Sequence, residues 1–282
     1  MTKFGFVFFG SDSIATSVLN ELEKAGYVPS VLVCGEDKPK GRGLVITAPP
    51  AKIWAEKRNI PVLQPKKLDD NFISQLATGN WQLGIVASYG KIIPKAILDI
   101  PENGFLNVHP SLLPKLRGAS PIESTILNED KAGVTIIKLD EEMDHGSIVA
   151  QKEIPTNEWP PHYKELERLL GTEGGKLLAE IVEDFVAGKI KLQEQDHSKA
   201  TFIKKIKKED GLIDLSGNPE TNLRKIRAFE EWPGAYFFHK AAKKEVRVKI
   251  ADAHLEDKAL ILDKVIPEGK KEMSWQDFLR GN

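Results

Sequence analysis

The run Asn107-Val108-His109-Pro110-Ser111-Leu112-Leu113-Pro114-Lys115-Leu116-Arg117-Gly118 places a carboxamide and an imidazole two residues apart, directly before a proline. On an extended strand, residues i and i+2 face the same way, so Asn107 and His109 project together. Pro110 stops regular pairing there, and Pro114 and Gly118 favour an irregular loop. An amide donor beside an imidazole suits acyl transfer, in which a carbonyl oxygen becomes negative in a tetrahedral intermediate and is stabilised by preorganised donors. Neither side chain has to be a nucleophile. A third polar group comes from Leu139-Asp140-Glu141-Glu142-Met143-Asp144-His145-Gly146, a loop after an apolar strand, where Asp144 can orient His109 and receive protons through water. Taken singly, each has a plainer reading: Asn107 as a turn former, His109 as a satisfied polar neighbour of the strand end, Asp144 as a loop or cap residue.

Such groups need a rigid edge to stand on. Phe4 to Phe9 is a continuous apolar run, followed by Gly10-Ser11-Asp12 and the periodic Ile14, Val18, Leu19 and Leu22, which predicts a buried strand, a turn and a capped helix. Val28 to Cys34, Leu83 to Ala87 and Gly104 to Val108 read as further strands, with helical stretches near Pro50 to Lys57, Asp69 to Ala77 and Pro94 to Leu98. Strands alternating with helices imply right-handed βαβ units, hence a Rossmann-like α/β fold with a mostly parallel sheet and flanking helices. In such a sheet the carboxyl edge, where Asn107 and His109 would lie, is where ligands bind. Val134 to Ile137 and Ile148 to Ala150 add strands before a long helix from Tyr163 to Val186. Past it the chain turns lysine-rich and then shows short strand-like pieces, Ala235 to His239, Val246 to Ile250 and Ala259 to Val265, which suggest a small β-rich C-terminal domain, a partly closed, OB-like barrel. The expected division is a catalytic domain over 1–195, a linker over 196–204 and the β-rich domain over 205–282.

Composition removes several function classes. Gly10-Ser11-Asp12-Ser13-Ile14-Ala15 lacks the second and third glycines of a dinucleotide fingerprint. The single cysteine, Cys34, reads as a small buried hydrophobe in a reducing compartment, and the six histidines show no metal-ligand spacing, so no metal is expected. The apolar start is far shorter than a membrane span, which points to a soluble cytoplasmic protein. The net charge of −1 hides an uneven spread: thirteen Lys and Arg face seven Asp and Glu between Lys199 and Lys249, a surface suited to a polyanion or simply to solvent.

Asn-x-His followed by Pro-Ser-Leu-Leu-Pro, then Arg-Gly and Pro-Ile, with a later Asp-x-Gly, resembles the formyltransferases that use 10-formyltetrahydrofolate. Lys38-Pro39-Lys40-Gly41-Arg42-Gly43, running on to Thr47-Ala48-Pro49-Pro50, resembles the substrate loop of the methionyl-tRNA branch. Ser88-Tyr89-Gly90-Lys91-Ile92-Ile93-Pro94, Glu209 to Asp214, Ile226 to Phe229, Trp232 to Tyr236 and Pro267 to Trp275 extend the likeness over nearly the whole chain. The resemblance implies Asn107, His109 and Asp144 as the catalytic set, a folate site formed by Ser111, Leu112, Leu113, Pro114, Val86, Ile92 and Asp140, and initiator methionyl-tRNA held by Lys38, Lys40 and Arg42. It further implies direct attack of the methionyl amine on the formyl carbon, without an acyl-enzyme; a monomer is expected. Two departures stand out. The position after Asp144, usually threonine in that family, is His145, read as pointing to solvent, and the C-terminal domain looks shortened between Glu245 and Pro267. An amino-sugar nucleotide formyltransferase, a formyltetrahydrofolate hydrolase and a non-catalytic RNA-binding module are the rival readings. Asn107→Ala is expected to slow transfer on the order of a hundredfold or more, since one oxyanion donor is worth about 2.7 to 4 kcal/mol, and single-turnover rates check it.

Overall fold

Phe6–Phe9 (β1) is apolar and buried at every position, as a strand covered on both faces must be. The computed structural model describes residues 4–41, 43–241 and 244–281. At the end of β1 the chain turns into Ser13–Lys24 (α1), where Asp12 caps the helix by accepting from the N–H groups of Ile14 at 3.0 Å and Ala15 at 3.2 Å. Val31–Val33 (β2) follows, then a small hairpin of Lys38–Lys40 (β3) and Val45–Thr47 (β4), Pro50–Glu56 (α2), Val62–Leu63 (β5) and Asp70–Ala77 (α3). Leu83–Val86 (β6), Lys95–Leu98 (α4) and Phe105–His109 (β7) bring the chain to the candidate residues.

After the two-residue strand Arg117–Gly118 (β8) and Pro121–Asn128 (α5), Ala132–Lys138 (β9) and Ile148–Ile154 (β10) complete a seven-stranded sheet ordered β10-β9-β7-β6-β1-β2-β5. Pairings from β5 through β7 are parallel, while β7–β9 and β9–β10 are antiparallel, so the expected mostly parallel sheet carries an antiparallel edge. The strand order reverses at β1, flanked by β2 and β6, and β7 is the next strand over. Its alternation divides labour: Phe105, Asn107 and His109 share one face, and Leu106 and Val108 the other. On that second face Tyr163–Val186 (α6) comes close at Gly174, where a Cβ would lie 2.6 Å from Val108 Cγ1. No side chain larger than hydrogen fits there.

The chain forms two compact units, neither of them one continuous stretch. The first holds residues 1–121, 132–155 and 167–202; the second holds 122–131, 156–166 and 203–282. In the second, after Phe202–Ile203 (β11), Pro219–Ala228 (α7) and Trp275–Arg280 (α8) cover a four-stranded antiparallel sheet of Tyr236–Ala241 (β12), Lys244–Glu256 (β13), Ala259–Pro267 (β14) and Met273–Ser274 (β15). Its core gathers Ile213, Leu223, Ile226, Phe237, Val248, Val265 and Phe278. Arg224 ties in the 122–131 segment by donating to the carbonyls of Ile126 at 3.1 Å and Glu129 at 2.6 Å. Arg227, buried, pairs with Glu158 at 3.0 Å and donates to the Pro160 carbonyl, which ties in 156–166. Tyr236 is buried under the Arg247 guanidinium, 3.8 Å from its ring centroid, whereas Trp232 is half exposed.

In the first unit Phe105 is fully buried with its ring edge-on to Phe9 at 5.4 Å, inside a cluster with Val7, Val33, Leu76 and Ile97. Phe105→Ala is expected to cost about 3 to 5 kcal/mol of stability, read as a lowered urea midpoint, because so large a gap collapses only in part.

Candidate active site

The carboxyl end of β7 delivers the two residues anticipated there. Asn107 pairs in register with Val86 of β6 and Ile137 of β9, and His109 with Thr135. Asn107 is half-buried, and among the described residues no hydrogen bond engages its carboxamide, so its N–H groups remain available to a substrate oxygen. His109 is only 3% exposed, and both ring nitrogens have a neighbour. Its Nε2 lies 3.2 Å from the Leu116 carbonyl, which can only accept, so that nitrogen carries a hydrogen. Its Nδ1 faces Asp144 Oδ1 at 3.5 Å, within ion-pair range.

Asp144 does not reach His109 unaided. Its backbone lies in the left-handed region at φ 50°, a conformation that aspartate tolerates better than most residues. Its other carboxylate oxygen accepts from the Gly118 N–H at 2.8 Å. Two residues on, Gly146 passes so near the end of β9 that a Cβ would fall 1.8 Å from the Lys138 carbonyl oxygen. The glycine of the Asp-x-Gly pattern is therefore a steric requirement of the turn that aims Asp144.

The loop after β7 is braced from within. Ser111, buried, donates its hydroxyl to the Lys115 carbonyl at 3.0 Å, and its own carbonyl accepts from the Thr135 hydroxyl at 2.6 Å. Leu113 packs against Ile137 and Ile148, and Leu112 lies over Gly133. Of the folate-site residues anticipated from sequence, Val86 and Leu113 thus spend their side chains on the core, while Leu112 and Pro114 keep part of theirs at the surface. Ile92 is 83% exposed, and Asp140 is exposed with its carboxylate 2.6 Å from His145 Nδ1. Beside β6, Ser88 at φ 51° donates its hydroxyl to the Asp12 carboxylate, and burial pushes that carboxyl upward. Tyr89 turns edge-on to Phe9, and burial pushes its hydroxyl up to about 12. Cys34 is buried and free, its thiol pushed up to about 11 by desolvation, which makes it a poor nucleophile.

Lys38 and Lys40 lie on the β3–β4 hairpin, and the Lys38 side chain is exposed. Arg42 lies outside the described residues. His145, read as pointing to solvent, instead has its ring stacked 4.2 Å from that of His197 and its Nδ1 on Asp140. Sequence reasoning missed Gln195, 4% exposed, whose amide N–H groups reach the carbonyls of Asp144, His145 and Gly146 at 2.9, 3.1 and 2.7 Å. It also missed the role of Arg117, 3% exposed, which donates to Gln195 Oε1 at 2.7 Å. No apolar period marks Gln195; it stands in a polar stretch at the border of the expected linker.

A half-buried amide donor beside a carboxylate-paired imidazole, at the carboxyl edge of a parallel sheet, can stabilise an oxyanion and exchange a proton. The formyl transferase family model matches residues 2–182, and the model of the formyl transferase C-terminal domain matches 205–259, so the chain belongs to the formyl transferase family. The methionyl-tRNA formyltransferase of Chloroflexus aggregans is 42% identical over 237 residues, covering 82% of this chain and 75% of the relative. That of a Geobacillus species is 37% identical over 298 residues, covering 98% and 93%. Within the family, the chain is thus one of the methionyl-tRNA formyltransferase group, a formyl-transferring enzyme. The fold is shared more widely: a sugar N-formyltransferase from a Shewanella species superposes with a TM-score of 0.66 at 18% identity, over 90% of this chain and 99% of that one. Among the described residues no helix is long and apolar enough to cross a membrane, and no group of three or more His, Cys, Asp and Glu is placed to hold a metal ion.

Gly146→Ala is expected to displace the Asp144 turn. Formyl transfer should fall on the order of tenfold or more while the protein still folds, because misplacement by about 1 Å costs up to a hundredfold. Circular dichroism alongside initial rates reads both quantities.

Proposed function

We propose that this chain transfers the formyl group of 10-formyltetrahydrofolate to the α-amine of initiator methionyl-tRNA, as a monomer in the cytoplasm. The observation that carries the reading is the convergence of Asn107, His109 and Asp144 at the carboxyl end of β7, on a chain 42% identical to a methionyl-tRNA formyltransferase. The folate supplies an activated formyl carbon with a nitrogen leaving group. Asn107 donates to the oxygen that becomes negative when the amine attacks. His109 gives its Nε2 hydrogen to the departing folate nitrogen, releasing the Leu116 carbonyl, and Asp144 holds the ring through the hydrogen left on Nδ1. Water carries the proton lost by the attacking amine to the Asp144 carboxylate and onward to the vacant Nε2 of His109, so the cycle closes without an acyl-enzyme.

Residues 1–195 act as the catalytic domain in this reading, 196–204 as a linker and 205–282 as a tRNA-binding domain. Ile92 and Met143 have exposed apolar side chains and Asp140 an exposed carboxylate, groups of the kind that suit a pterin, which is flat, apolar on its faces and hydrogen-bonding at its edge. Ser111 to Pro114 would line the rest of the folate site, through the partly exposed Leu112 and Pro114. Lys38, Lys40 and Arg42 would contact tRNA phosphates, which makes affinity fall with salt.

The test offers purified protein labelled 10-formyltetrahydrofolate with either methionyl-tRNA or an amino-sugar nucleotide. Label is expected on methionyl-tRNA, reduced in His109→Ala by about a hundredfold or more. Label on the sugar alone would refute the acceptor. Release of formate without transfer would make the chain a hydrolase.

A further inference from the structure

Gln195 stands 51 positions from Asp144 in the chain and yet is buried against it. Its orientation is settled by chemistry: a guanidinium has only donors, and Arg117 Nε and Nη2 approach one end of the amide at 3.2 and 2.7 Å, so that end is oxygen. The amide nitrogen then faces three consecutive backbone carbonyls, those of residues 144 to 146, all within 3.1 Å. Three carbonyl oxygens turned toward one point repel one another unless a donor lies between them, and Gln195 supplies two N–H groups there. Arg117 in turn is held by its backbone N–H on the Thr201 carbonyl at 2.9 Å and by His197 Nδ1 at 2.9 Å.

From this geometry we infer that Gln195, locked by Arg117, is a positioning residue for the formyl-transfer step: it holds the left-handed turn at Asp144 so that Oδ1 meets His109. This rests on the catalytic role proposed for Asp144. Gln195 touches no reacting atom. The Gly118 N–H fixes one oxygen of the carboxylate, and Gln195 fixes the backbone that carries it, so both restraints originate in neighbouring residues of β8. Without the second restraint the carboxylate can still bond Gly118, but its other oxygen is free to swing from His109.

The test is a double-mutant cycle of Gln195→Glu and Asp144→Asn, with kcat, KM for 10-formyltetrahydrofolate and Tm measured on each protein. Gln195→Glu keeps shape and the Arg117 contact but sets a carboxylate oxygen against the three carbonyls. Asp144→Asn suits the cycle because asparagine also tolerates the left-handed backbone. Gln195→Glu is expected to lower kcat about ten- to a hundredfold with KM for folate little changed, and to lower kcat less than threefold when Asp144 is already Asn. An equal loss in both backgrounds, or no loss in either, overturns the inference and leaves Gln195 a stability residue. If Asp144→Asn alone keeps the native rate, it is the role of Asp144 that fails, and the positioning role falls with it. Should Gln195→Glu be recovered unfolded, Gln195→Met, similar in length and without donors, enters the same cycle under the same criteria.

Discussion

His109 carries a polar ring into a site where 3% of its surface meets solvent, and a buried imidazole requires a partner at each nitrogen. Both partners come from outside its strand: the Leu116 carbonyl at one nitrogen, the Asp144 carboxylate at the other. Around this constraint much of the local architecture is arranged. Leu116 is held at φ 62°, a conformation costing an L-residue roughly 1 to 2 kcal/mol, and in that conformation its carbonyl serves the ring. The three residues 116 to 118 act in succession, Leu116 on His109, Arg117 on Gln195 and Gly118 on the Asp144 carboxylate. Thr201 anchors the start of that run by accepting from the Leu116 N–H with its hydroxyl and from the Arg117 N–H with its carbonyl.

The sheet supplies the rigidity that this arrangement needs. β7 lies between β6 and β9, so Asn107 cannot move without disturbing two ladders. Its opposite face is pressed against α6 at Gly174. In the proposed role, a donor held this firmly reorganises little as charge develops, which is the condition under which one hydrogen bond contributes several kcal/mol to a transition state. His145 and His197, stacked beside the same turn, belong to a hydrogen-bonded cluster in which His145 meets Asp140 and His197 meets Arg117.

Much was legible from residue order. Apolar runs of four to seven residues alternating with periodic segments predict the strands and helices of the first unit, because each pattern reflects which face of an element is covered. The Asn-x-His spacing places two side chains on one strand face, and Asp-x-Gly marks a tight turn near them. Less legible was the use to which the side chains after β7 are put: Ser111 and Leu113 stand in a motif that suggests ligand contact, and in the structure their buried side chains brace the loop.

By itself the sequence determined the α/β class and the formyl transferase family and brought forward Asn107, His109 and Asp144 as candidates, since these follow from local periodicity and from motifs of residues close together in the chain. Only the tertiary structure decided what holds those residues. Gln195 lies in a polar stretch with no period, and its three carbonyl partners are backbone atoms, which no residue identity announces. The grouping of residues 122–131 and 156–166 with 203–282 was likewise settled by Arg224 and Arg227 reaching across the fold. Contacts between segments tens of residues apart depend on the path of the chain through space, and that path is set by burial of the whole core rather than by any local pattern.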